Sequence, residues 1–550
     1  MTLRDYKQAY HAFNLDAAAA LLSDGFSNNL NACIECCDRY ANDAGRIALY
    51  TENQQGVSAQ YTFAQLKEYS ARFANFLKSR GVKPGDRVAA LLPRTLELVI
   101  VILGTWRLGA VYQPLFTAFG GQAIAYRLAT SKARMIVVDA VNCPKLDKVP
   151  QRPLTVFVAD KTSTIPESDI PFWDELNKHA ADFEPYPGGP EHPFLMMFTS
   201  GTTGPSKSLS IPLKALAGFV SYMRDGMDLR PEDKYWNIAD PGWAYGLYYA
   251  VTGVLAYGHA TLLYDGPFSP EATIKIIKKH KITNLAGSPT AFRMLIAAGS
   301  EVAQPIRGQL RVVSSCGEPL NPEVIRWFAE NLAVVIHDHY GQTELGMVVG
   351  NHHGLKHPVQ VGTTGFPMLG YRVVVLDEAS KELPPHQPGI MAIDRAHSPL
   401  FWFTGYENVE TPTLEKRYYR TGDTVELNDD GSISFVGRLD DVITSAGYRI
   451  GPFDVESALI EHPAVIEAGV IGKPDPERTQ IVKAYVVLQR GYDPTEQLRA
   501  ELQMHVRNRL SAHIYPREIE FIAQLPKTPS GKIQRFVLRS LEAAKTAQAV

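Results

Sequence analysis

Short β-like runs and amphipathic helical stretches alternate along the N-terminal two thirds of the chain. Residues 62–65, Thr-Phe-Ala-Gln, form a capping-box helix start, and apolar positions then recur every three or four residues up to Gly81. A β-like run at 86–92, an apolar helix and a strand at 134–138 complete one strand–helix–strand unit. Strands joined in this way lie parallel under their helices, so the sequence predicts an α/β fold with a large domain of helix-covered sheets.

A second unit of the same kind follows. It consists of a strand at 260–264, a helix opened by Ser-Pro-Glu at 269–271, and a strand at 282–285. Past about residue 360 the pattern changes to short strands separated by turns, such as Asn-Asp-Asp-Gly at 428–431. We therefore expect a small barrel-like or antiparallel subdomain after the large domain.

Length and composition are those of a globular protein with more than one core. A chain of 550 residues suggests roughly two to four domains, and 45% hydrophobic with 21% charged residues is ordinary. The net charge of -3 gives no reason to expect nucleic acid or an anionic membrane as a partner. The longest apolar run, Leu98 to Leu103, is too short to span a bilayer and predicts a buried helix. Small molecules are the expected partners, and an oligomer is compatible with the sequence.

The cysteines indicate a reducing compartment. There are five, an odd and sparse number that argues against a disulfide framework. Cys33 and Cys36 lack a second ligand pair, so we interpret them as buried thiols in a helix rather than as metal ligands. Residues 1–5 contain no apolar stretch of an export signal. These features together predict the cytoplasm.

A loop rich in glycine and hydroxyl groups follows the apolar run at 194–198. Glycines let backbone N–H groups converge on one anion, hydroxyls add donors, and the final lysine adds positive charge. The loop is not a Walker A sequence, because two residues separate its last glycine from the lysine. It predicts a phosphate cradle, although such a cluster alone is more often a plain surface loop. Its residues are Thr199, Ser200, Gly201, Thr202, Thr203, Gly204, Pro205, Ser206 and Lys207.

Four further clusters concentrate residues that suit nucleotide chemistry. Glu344 follows the hydroxyl of Thr343, which suits a Mg²⁺ ion that bridges phosphate oxygens. Asp423 could bind ribose hydroxyls, and Arg438 could reach a phosphate. Each cluster taken alone is also compatible with a capped turn or a solvated surface. The clusters are Gly317-Glu318-Pro319, which could present backbone groups to a planar ring; Asp338-His339-Tyr340-Gly341-Gln342-Thr343-Glu344; the segments 419–423 and 437–441; and the lysine-bearing loop 526–532.

Taken together, these segments resemble the adenylate-forming superfamily of acyl-CoA synthetases, peptide-synthetase adenylation domains and luciferases. Five motifs, TSGTTGPSK, GEP, YGQTE, YRTGD with GRLDD, and PKTPSGK, occur in family order and at family spacing. The resemblance covers about residues 50 to 540. It is strongest to the medium-chain acyl-CoA synthetases and, through residues 445–452, to the acetyl-CoA synthetases.

The resemblance implies a two-step ligase that uses ATP, Mg²⁺ and CoA. A carboxylate attacks the α-phosphate of ATP to give acyl-AMP and pyrophosphate, and the CoA thiol then displaces AMP. No general base is needed in the first step, because the acid is already ionised at neutral pH. The resemblance implies that the loop 199–207 binds phosphates, that Gly317, Glu318, Pro319 and Tyr340, in the stretch 338–342, contact adenine, and that Asp423 binds ribose. Arg438 would contact ribose or phosphate, Thr343 the α-phosphate, and Glu344 the Mg²⁺ ion. Lys532 would contact both the substrate carboxylate and the α-phosphate.

The second step in this superfamily requires a rotation of the C-terminal domain. Asp440 matches the hinge position, which implies an N-terminal AMP-binding domain at 1–439 and a small, mobile α+β domain at 440–550. Gly447, Tyr448 and Arg449 would then line the pantetheine tunnel, and Arg507 would contact the CoA phosphate.

The sequence departs from the family in the phosphate loop. The family loop commonly ends Gly-x-Pro-Lys, whereas here Pro205 comes first and Ser206 precedes Lys207. The direction in which the Lys207 side chain points is therefore left open. A histidine often found a few residues later is replaced within 210–213.

Gly341 is informative about which carboxylic acid is activated. Acetyl-CoA synthetases carry a tryptophan there that closes the acyl pocket, so a glycine predicts an open pocket. The other implied pocket residues are Trp243, Ala244, Tyr245 and Cys316, an apolar and aromatic lining that favours a medium-chain, branched or aromatic acid. The alternative is that Gly341 merely permits a tight backbone turn.

Two other functions compete with an acyl-CoA synthetase. One is an adenylating enzyme that loads a carrier protein, although no carrier domain is attached. The other is a binding protein with a relic site, which would be expected to lose Lys532, Glu344 or Asp423. All three residues are present.

Overall fold

The computed structural model describes residues 3–160, 163–199, 206–445, 448–476, 478–511, 514–528 and 532–548. The predicted α/β fold is confirmed, and so is the capping box, in which Thr62 and Gln65 exchange both side-chain hydrogen bonds at the start of the helix Phe63–Ser79. The apolar run at 98–103 lies in a buried helix, Leu96–Arg107, and Cys33 and Cys36 are buried in the helix Ala32–Cys36. No helix in the described ranges has the length and hydropathy needed to cross a bilayer.

Two large sheets form the N-terminal part of the molecule. The first is parallel except for the antiparallel hairpin of Pro193–Phe198 and Ser208–Pro212. Its strand order is Ser208–Pro212, Pro193–Phe198, Val111–Pro114, Arg87–Leu91, Met135–Asp139, Leu154–Val158 and Ile170–Pro171. The second has parallel central strands, in the order Phe366–Pro367, Gly346–Gly350, Ile336–Gln342, Val312–Cys316, Asn284–Gly287, Tyr235–Asn237, Thr261–Asp265, Ile47–Asn53 and Ser58–Thr62.

Helices cover both sheets, and one continuous apolar core contains side chains of the two sheets and of the helix Leu96–Arg107. The other longer helices of this part are Gly121–Ser131, Pro270–His280, Pro289–Ala297 and Pro322–Leu332. Shorter helices are Tyr6–Ala12, Leu15–Ala19, Phe172–Leu176, Ala215–Ser221, Ala244–Gly246, Gly253–Ala256 and Ser300–Ala303, with π-helical turns at Tyr222–Gly226 and Leu247–Thr252. Turns of 3₁₀ helix lie at Asp38–Tyr40, Cys143–Lys148, Gln304–Ile306, Arg395–His397 and Pro412–Glu415.

The antiparallel unit expected past about residue 360 is a four-stranded sheet. Its strands are Val373–Leu376, Gly389–Asp394, Tyr418–Leu427 and Ile433–Arg438. The turn at 428–431 joins its last two strands, as the sequence predicts. A two-stranded parallel sheet pairs Arg4–Asp5 with Leu355–Lys356.

A separate sheet and core lie beyond residue 440. The sheet contains Tyr448–Ile450, Ile443–Ser445, Thr479–Leu488, Val465–Asp475 and Glu518–Phe521, and the helices are Pro452–Ile460, Glu496–Arg509 and Arg535–Gln548. Its two buried clusters contain residues between Ile443 and Leu538. Polar contacts join it to the large domain, since Asn321 donates a 2.9 Å hydrogen bond to Ser457 and Arg326 pairs with Glu461 at 3.4 Å.

Candidate active site

The candidate site begins where two neighbouring parallel strands end. Val312–Cys316 and Ile336–Gln342 pair in register, with Cys316 opposite His339. Gly317 follows the first strand directly, and the stretch 338–344 includes the end of the second. Ligands of open parallel sheets bind at the carboxyl ends of the strands, so this edge is where a nucleotide is expected.

Asp423 is the centre of a polar cluster at this edge. Tyr340 donates its hydroxyl to Oδ2 of Asp423, and Gln342 donates a 2.9 Å hydrogen bond to the same oxygen. Arg438 lies opposite Asp423 in the antiparallel sheet, with Nη1 3.6 Å from Oδ1. Burial raises the pKa of Asp423, and the Arg438 charge opposes that rise. Oδ1 is thus the less occupied oxygen and can accept hydrogen bonds from a ligand hydroxyl.

Lys532, an exposed residue of the C-terminal part of the chain, lies near enough to this cluster for its positive charge to lower the pKa of both Asp423 and Cys316. The backbone around it is fixed, because Lys532 N donates a 3.0 Å hydrogen bond to Thr528 Oγ1. Residues 529–531 of the same loop lie outside the described residues. Asp423 and Lys532, which are more than a hundred residues apart in the sequence, are thus within electrostatic range of each other.

Glu344 is linked to Lys207 through a residue that sequence reasoning missed. Tyr406 donates a 2.6 Å hydrogen bond to Glu344 Oε1, and the Lys207 ammonium lies 4.9 Å from the centre of the Tyr406 ring. The side chain of Glu344 is largely buried. Beside it, the carbonyl of Thr343 accepts a 2.9 Å hydrogen bond from Tyr248. A carboxylate and an ammonium group thus face the same cleft.

Only the two ends of the predicted phosphate loop are described. Thr199 N donates a 2.9 Å hydrogen bond to Lys207 O, which closes the base of the loop at the hairpin of Pro193–Phe198 and Ser208–Pro212. The predicted residues Ser200, Gly201, Thr202, Thr203 and Gly204 lie outside the described residues.

The Gly317 segment offers backbone rather than side chains to a ligand. Gly317 has φ +101°, and a Cβ there would meet nothing within 4 Å. The carboxylate of Glu318 is already engaged, because Thr290 donates to it at 2.7 Å and Arg293 at 2.9 Å. The open space beside Gly317 suits a planar ring. Pro319 continues this strand exit and is partly exposed.

Two residues of the 338–342 stretch differ in what they offer a nucleotide. Asp338 Oδ1 is buried and has no hydrogen-bond partner among the described residues, and burial raises the pKa of this carboxyl well above its usual range. His339 is fully engaged, with Nδ1 2.7 Å from the Tyr222 hydroxyl and Nε2 3.0 Å from the Asn351 carbonyl. Its ring is therefore not free for a nucleotide, and its backbone lies in a strand that is paired on both sides.

Apart from Gly341, the residues predicted to line the acyl pocket lie on two segments, the end of the strand Val312–Cys316 and the start of a short helix. Trp243, Ala244 and Tyr245 are partly exposed at the start of the short helix Ala244–Gly246. Cys316 is buried with Sγ 3.6 Å from the Met347 sulfur, and burial raises the pKa of its thiol to about 12. The thiol is therefore neutral, and it contributes an apolar wall.

Gly341 corrects an expectation from the sequence. A Cβ at this position would lie 2.3 Å from the Gly346 carbonyl oxygen and 2.9 Å from the Met347 sulfur. The close approach accompanies a bulge between Tyr340 and Gly341 where the strand pairs with Gly346–Gly350. The backbone thus requires a glycine here. Its missing side chain is explained by the close approach of the two strands at this bulge and is not evidence for an open pocket.

The residues expected to serve the second half-reaction lie elsewhere. Asp440 is exposed in the turn after Ile433–Arg438, and Asp441 pairs with Arg539 at 2.6 Å and with Arg535 at 3.4 Å. Gly447 lies outside the described residues, and Tyr448 and Arg449 belong to the strand Tyr448–Ile450, whose side chains are not described. Arg507 is exposed, its guanidinium 5.8 Å from the Tyr515 ring centre, and among the described residues it contacts none of the cluster around Asp423.

The residues present fit ATP and Mg²⁺. The unpartnered oxygen of Asp338 suits the amino group of adenine, Oδ1 of Asp423 suits a ribose hydroxyl, and the space at Gly317 admits the base. No group of three or more acidic, histidine or cysteine side chains in the described ranges could hold a metal ion. A single carboxylate, Glu344, fits Mg²⁺, which usually completes its shell with phosphate oxygens and water.

Family models match most of the chain. The model described as AMP-binding enzyme matches residues 38–406, and that of the AMP-binding enzyme C-terminal domain matches residues 454–532. Among curated proteins, the chain is 36% identical to acetyl-coenzyme A synthetase of Bacillus subtilis (strain 168), covering 98% of this chain and 95% of the relative. It is 35% identical to the mitochondrial acyl-coenzyme A synthetase ACSM4 of Rattus norvegicus, covering 90% and 86%.

Solved structures agree with these matches. The acyl-CoA synthetase of Brucella canis is 56% identical with a TM-score of 0.81, covering 99% of this chain and 100% of that one. The anthranilate CoA ligase AuaEII, crystallised with anthranoyl-AMP, is 26% identical with a TM-score of 0.86, covering 95% and 99%.

Proposed function

We propose that this chain, which belongs to the AMP-binding enzyme family, activates a carboxylic acid larger than acetate and transfers it to CoA. It is an AMP-forming acid–thiol ligase, and it uses ATP, Mg²⁺ and CoA. The identity of the acid is our proposal, together with the roles of the individual residues and the division of the chain at residue 440. The single observation that carries the residue roles is the polar cluster at the cleft, in which Asp423 accepts hydrogen bonds from Tyr340 and Gln342 and faces Arg438.

The first half-reaction follows from the charges in this cleft. Lys532 neutralises the substrate carboxylate and the α-phosphate as they approach, which stabilises the charge that develops in the transition state. Asp423 holds the ribose through Oδ1, and Asp338 with the backbone at 317–319 holds adenine. Glu344 would hold Mg²⁺, which screens the charge of the phosphate oxygens when bound. Lys207 and the loop 199–207 hold the β- and γ-phosphates, with Thr343 at the α-phosphate.

The second half-reaction needs the other face of the C-terminal domain. We propose that residues 440–550 rotate as a unit about Asp440, so that 447–449 replace Lys532 at the strand ends. Contacts on either side of the turn support this pivot, because Arg438 faces Asp423 of the large domain while Asp441 pairs with Arg535 and Arg539 of the C-terminal helix. Arg507 is exposed and remains a candidate for the CoA phosphate.

The pocket lining supports an acid larger than acetate. Trp243 and Tyr245 present aromatic surface, and Cys316 with Met347 adds an apolar wall. A medium-chain, branched or aromatic acid gains free energy from burial against such surface, about 0.8 kcal/mol for each methylene. The named relatives span acetyl, medium-chain-type and anthranilate ligases, so the substrate is inferred from the pocket alone. The cytoplasm likewise stays a prediction, consistent with five free cysteines.

The substrate proposal is tested by pyrophosphate release with CoA across acetate, butyrate, isobutyrate, hexanoate and benzoate. We expect kcat/KM for the best acid of four or more carbons to exceed that for acetate by at least about tenfold, the discrimination of a single methylene. Tyr245→Ala should favour still larger acids, and Tyr245→Phe, which keeps the ring, should keep the wild-type order. Acetate as the best substrate would overturn the assignment.

A further inference from the structure

Ser206 is held from two sides by one helix. This residue immediately precedes Lys207, at the place where the family loop commonly carries proline. Arg127 Nη2 donates a 3.0 Å hydrogen bond to the Ser206 hydroxyl, and the Tyr126 hydroxyl donates a 2.9 Å hydrogen bond to the Ser206 carbonyl. Both donors lie on the helix Gly121–Ser131. A proline could not accept the first of these bonds, so the contact depends on the serine.

Arg127 is a buried cation that faces only neutral groups. It is 7% exposed, and its guanidinium lies 4.1 Å from the Phe119 ring centre and 5.6 Å from that of Phe198. Its remaining hydrogen bond is to the Ala123 carbonyl at 3.0 Å. No carboxylate among the described residues pairs with it, and burial lowers its pKa. A buried charge without a counter-charge is costly, so the hydrogen bonds to Ser206 and Ala123 and the Phe119 ring are what stabilise this guanidinium.

Lys207 lies on the other side of Ser206, where the nucleotide contacts converge. Its backbone is fixed by the hydrogen bond from Thr199 N to its carbonyl. Its ammonium group lies over Tyr406, whose hydroxyl bonds Glu344. The direction in which Lys207 leaves Ser206 therefore decides whether its charge reaches the cleft that holds Glu344.

We propose that Arg127 and Tyr126 are positioning residues for adenylation. By holding the hydroxyl and the carbonyl of Ser206, they fix the direction of Lys207. This inference rests on the proposed function, and it explains how a serine can stand where the family loop has proline.

The test measures KM for ATP and for inorganic pyrophosphate in carboxylate-dependent ATP–pyrophosphate exchange. Ser206→Ala and Arg127→Gln should each raise both KM values about tenfold, the effect of losing one charge-assisted hydrogen bond. The double variant should be no worse than Arg127→Gln, because both changes break the same contact. Ser206→Thr keeps the hydroxyl and should remain close to wild type. Thioester formation from supplied acyl-AMP and CoA should be unchanged in all of them.

Arg134→Gln is the matched control, since Arg134 is exposed just after the same helix and its loss changes the net charge equally. It should leave both KM values at the wild-type level. The inference is overturned if Ser206→Ala has wild-type KM values, if the two effects multiply in the double variant, or if both half-reactions fall equally. If the wild-type enzyme shows no carboxylate-dependent exchange, the proposed function fails first, and that outcome is distinct from these.

Discussion

The hydroxyl of Tyr406 donates a 2.6 Å hydrogen bond to Oε1 of Glu344. Glu344 lies in a turn between two strands and Tyr406 in an irregular segment 62 residues later, and no motif joins them in the sequence. The Lys207 ammonium also lies 4.9 Å from the centre of the Tyr406 ring. This one aromatic side chain therefore orients the proposed Mg²⁺ ligand and the proposed phosphate ligand at once.

Tyr406→Phe should weaken the response to Mg²⁺. The ring stays beneath Lys207, but Glu344 loses the donor that orients it, and loss of such a partner typically costs about 10- to 100-fold in metal affinity or activity. The Mg²⁺ concentration for half-maximal pyrophosphate exchange should rise by at least about tenfold. Tyr418→Phe, an exposed tyrosine bonded to Glu382, is the control and should not change it. A wild-type Mg²⁺ curve for Tyr406→Phe would show that the hydrogen bond is only structural.

Lys532→Ala should separate the two half-reactions. Removal of one transition-state charge contact costs about a hundredfold or more, so acyl-AMP formation should fall by at least that factor. Thioester formation from supplied acyl-AMP should persist, because the lysine acts only in adenylation. Lys527→Ala, which removes the other lysine of the loop, serves as a comparison. An equal loss in both half-reactions would contradict a single role for Lys532.

Arg438→Gln should move the acid limb of the adenylation pH profile to higher pH. Asp423 must be ionised to accept ribose hydroxyls, burial already raises its pKa, and the Arg438 charge opposes that rise. Without this charge the pKa of Asp423 rises further, so activity is lost at a higher pH as the medium is acidified. Arg438→Lys keeps the charge and should shift the limb less. The test is pyrophosphate exchange measured against pH for the variant and the wild type. An acid limb at the same pH in both would refute the electrostatic coupling between Arg438 and Asp423.

Gly341→Ala should reduce stability without changing which acid is preferred. The added Cβ would lie 2.3 Å from the Gly346 carbonyl, so the backbone must move, and overpacking of this kind typically costs about 1–3 kcal/mol. Thermal unfolding should show a lower Tm, with the order of acids unchanged. Gly431→Ala is a comparison at a glycine with open space, where strain comes from φ +89° alone. A normal Tm with a shift toward acetate would restore the pocket interpretation of Gly341.

Asp440→Pro should leave adenylation intact and abolish CoA transfer. Proline fixes φ at the proposed pivot, which traps one domain orientation. The Asp440 N–H makes no backbone hydrogen bond in the described part of the turn, so none is lost. Asp440→Ala keeps the backbone free and should retain both half-reactions. Full CoA transfer by the proline variant would place the pivot elsewhere.

The architecture and most motif positions could be predicted from the sequence, because they depend on local patterns. Apolar periodicity and the capping box at Thr62 involve residues that are close together in the sequence, and they define single helices and strands. The resemblance placed Lys532 and Asp423 in one site, although nothing in their spacing shows that they meet. In the structure the charge of Lys532 lowers the pKa of Asp423, which is consistent with one site.

The remaining features depend on contacts between distant segments. Arg127 reaches Ser206 across 79 residues and Tyr406 reaches Glu344 across 62, so no local pattern marks either contact. Gly341 misled the sequence argument for a related reason. A glycine is required there because the backbone of Gly346 in the neighbouring strand lies too close for a side chain, and only the structure shows that distance.

The most direct test of the central claim is a coupled measurement on the wild-type enzyme. Purified protein is incubated with ATP, Mg²⁺ and the panel of acids, with and without CoA, and AMP, pyrophosphate and thioester are quantified. The account predicts carboxylate-dependent pyrophosphate formation without CoA, thioester with one AMP for each turnover when CoA is added, and a preference for acids of four or more carbons. AMP formation that ignores the carboxylate, or adenylation that never passes to CoA, would contradict it.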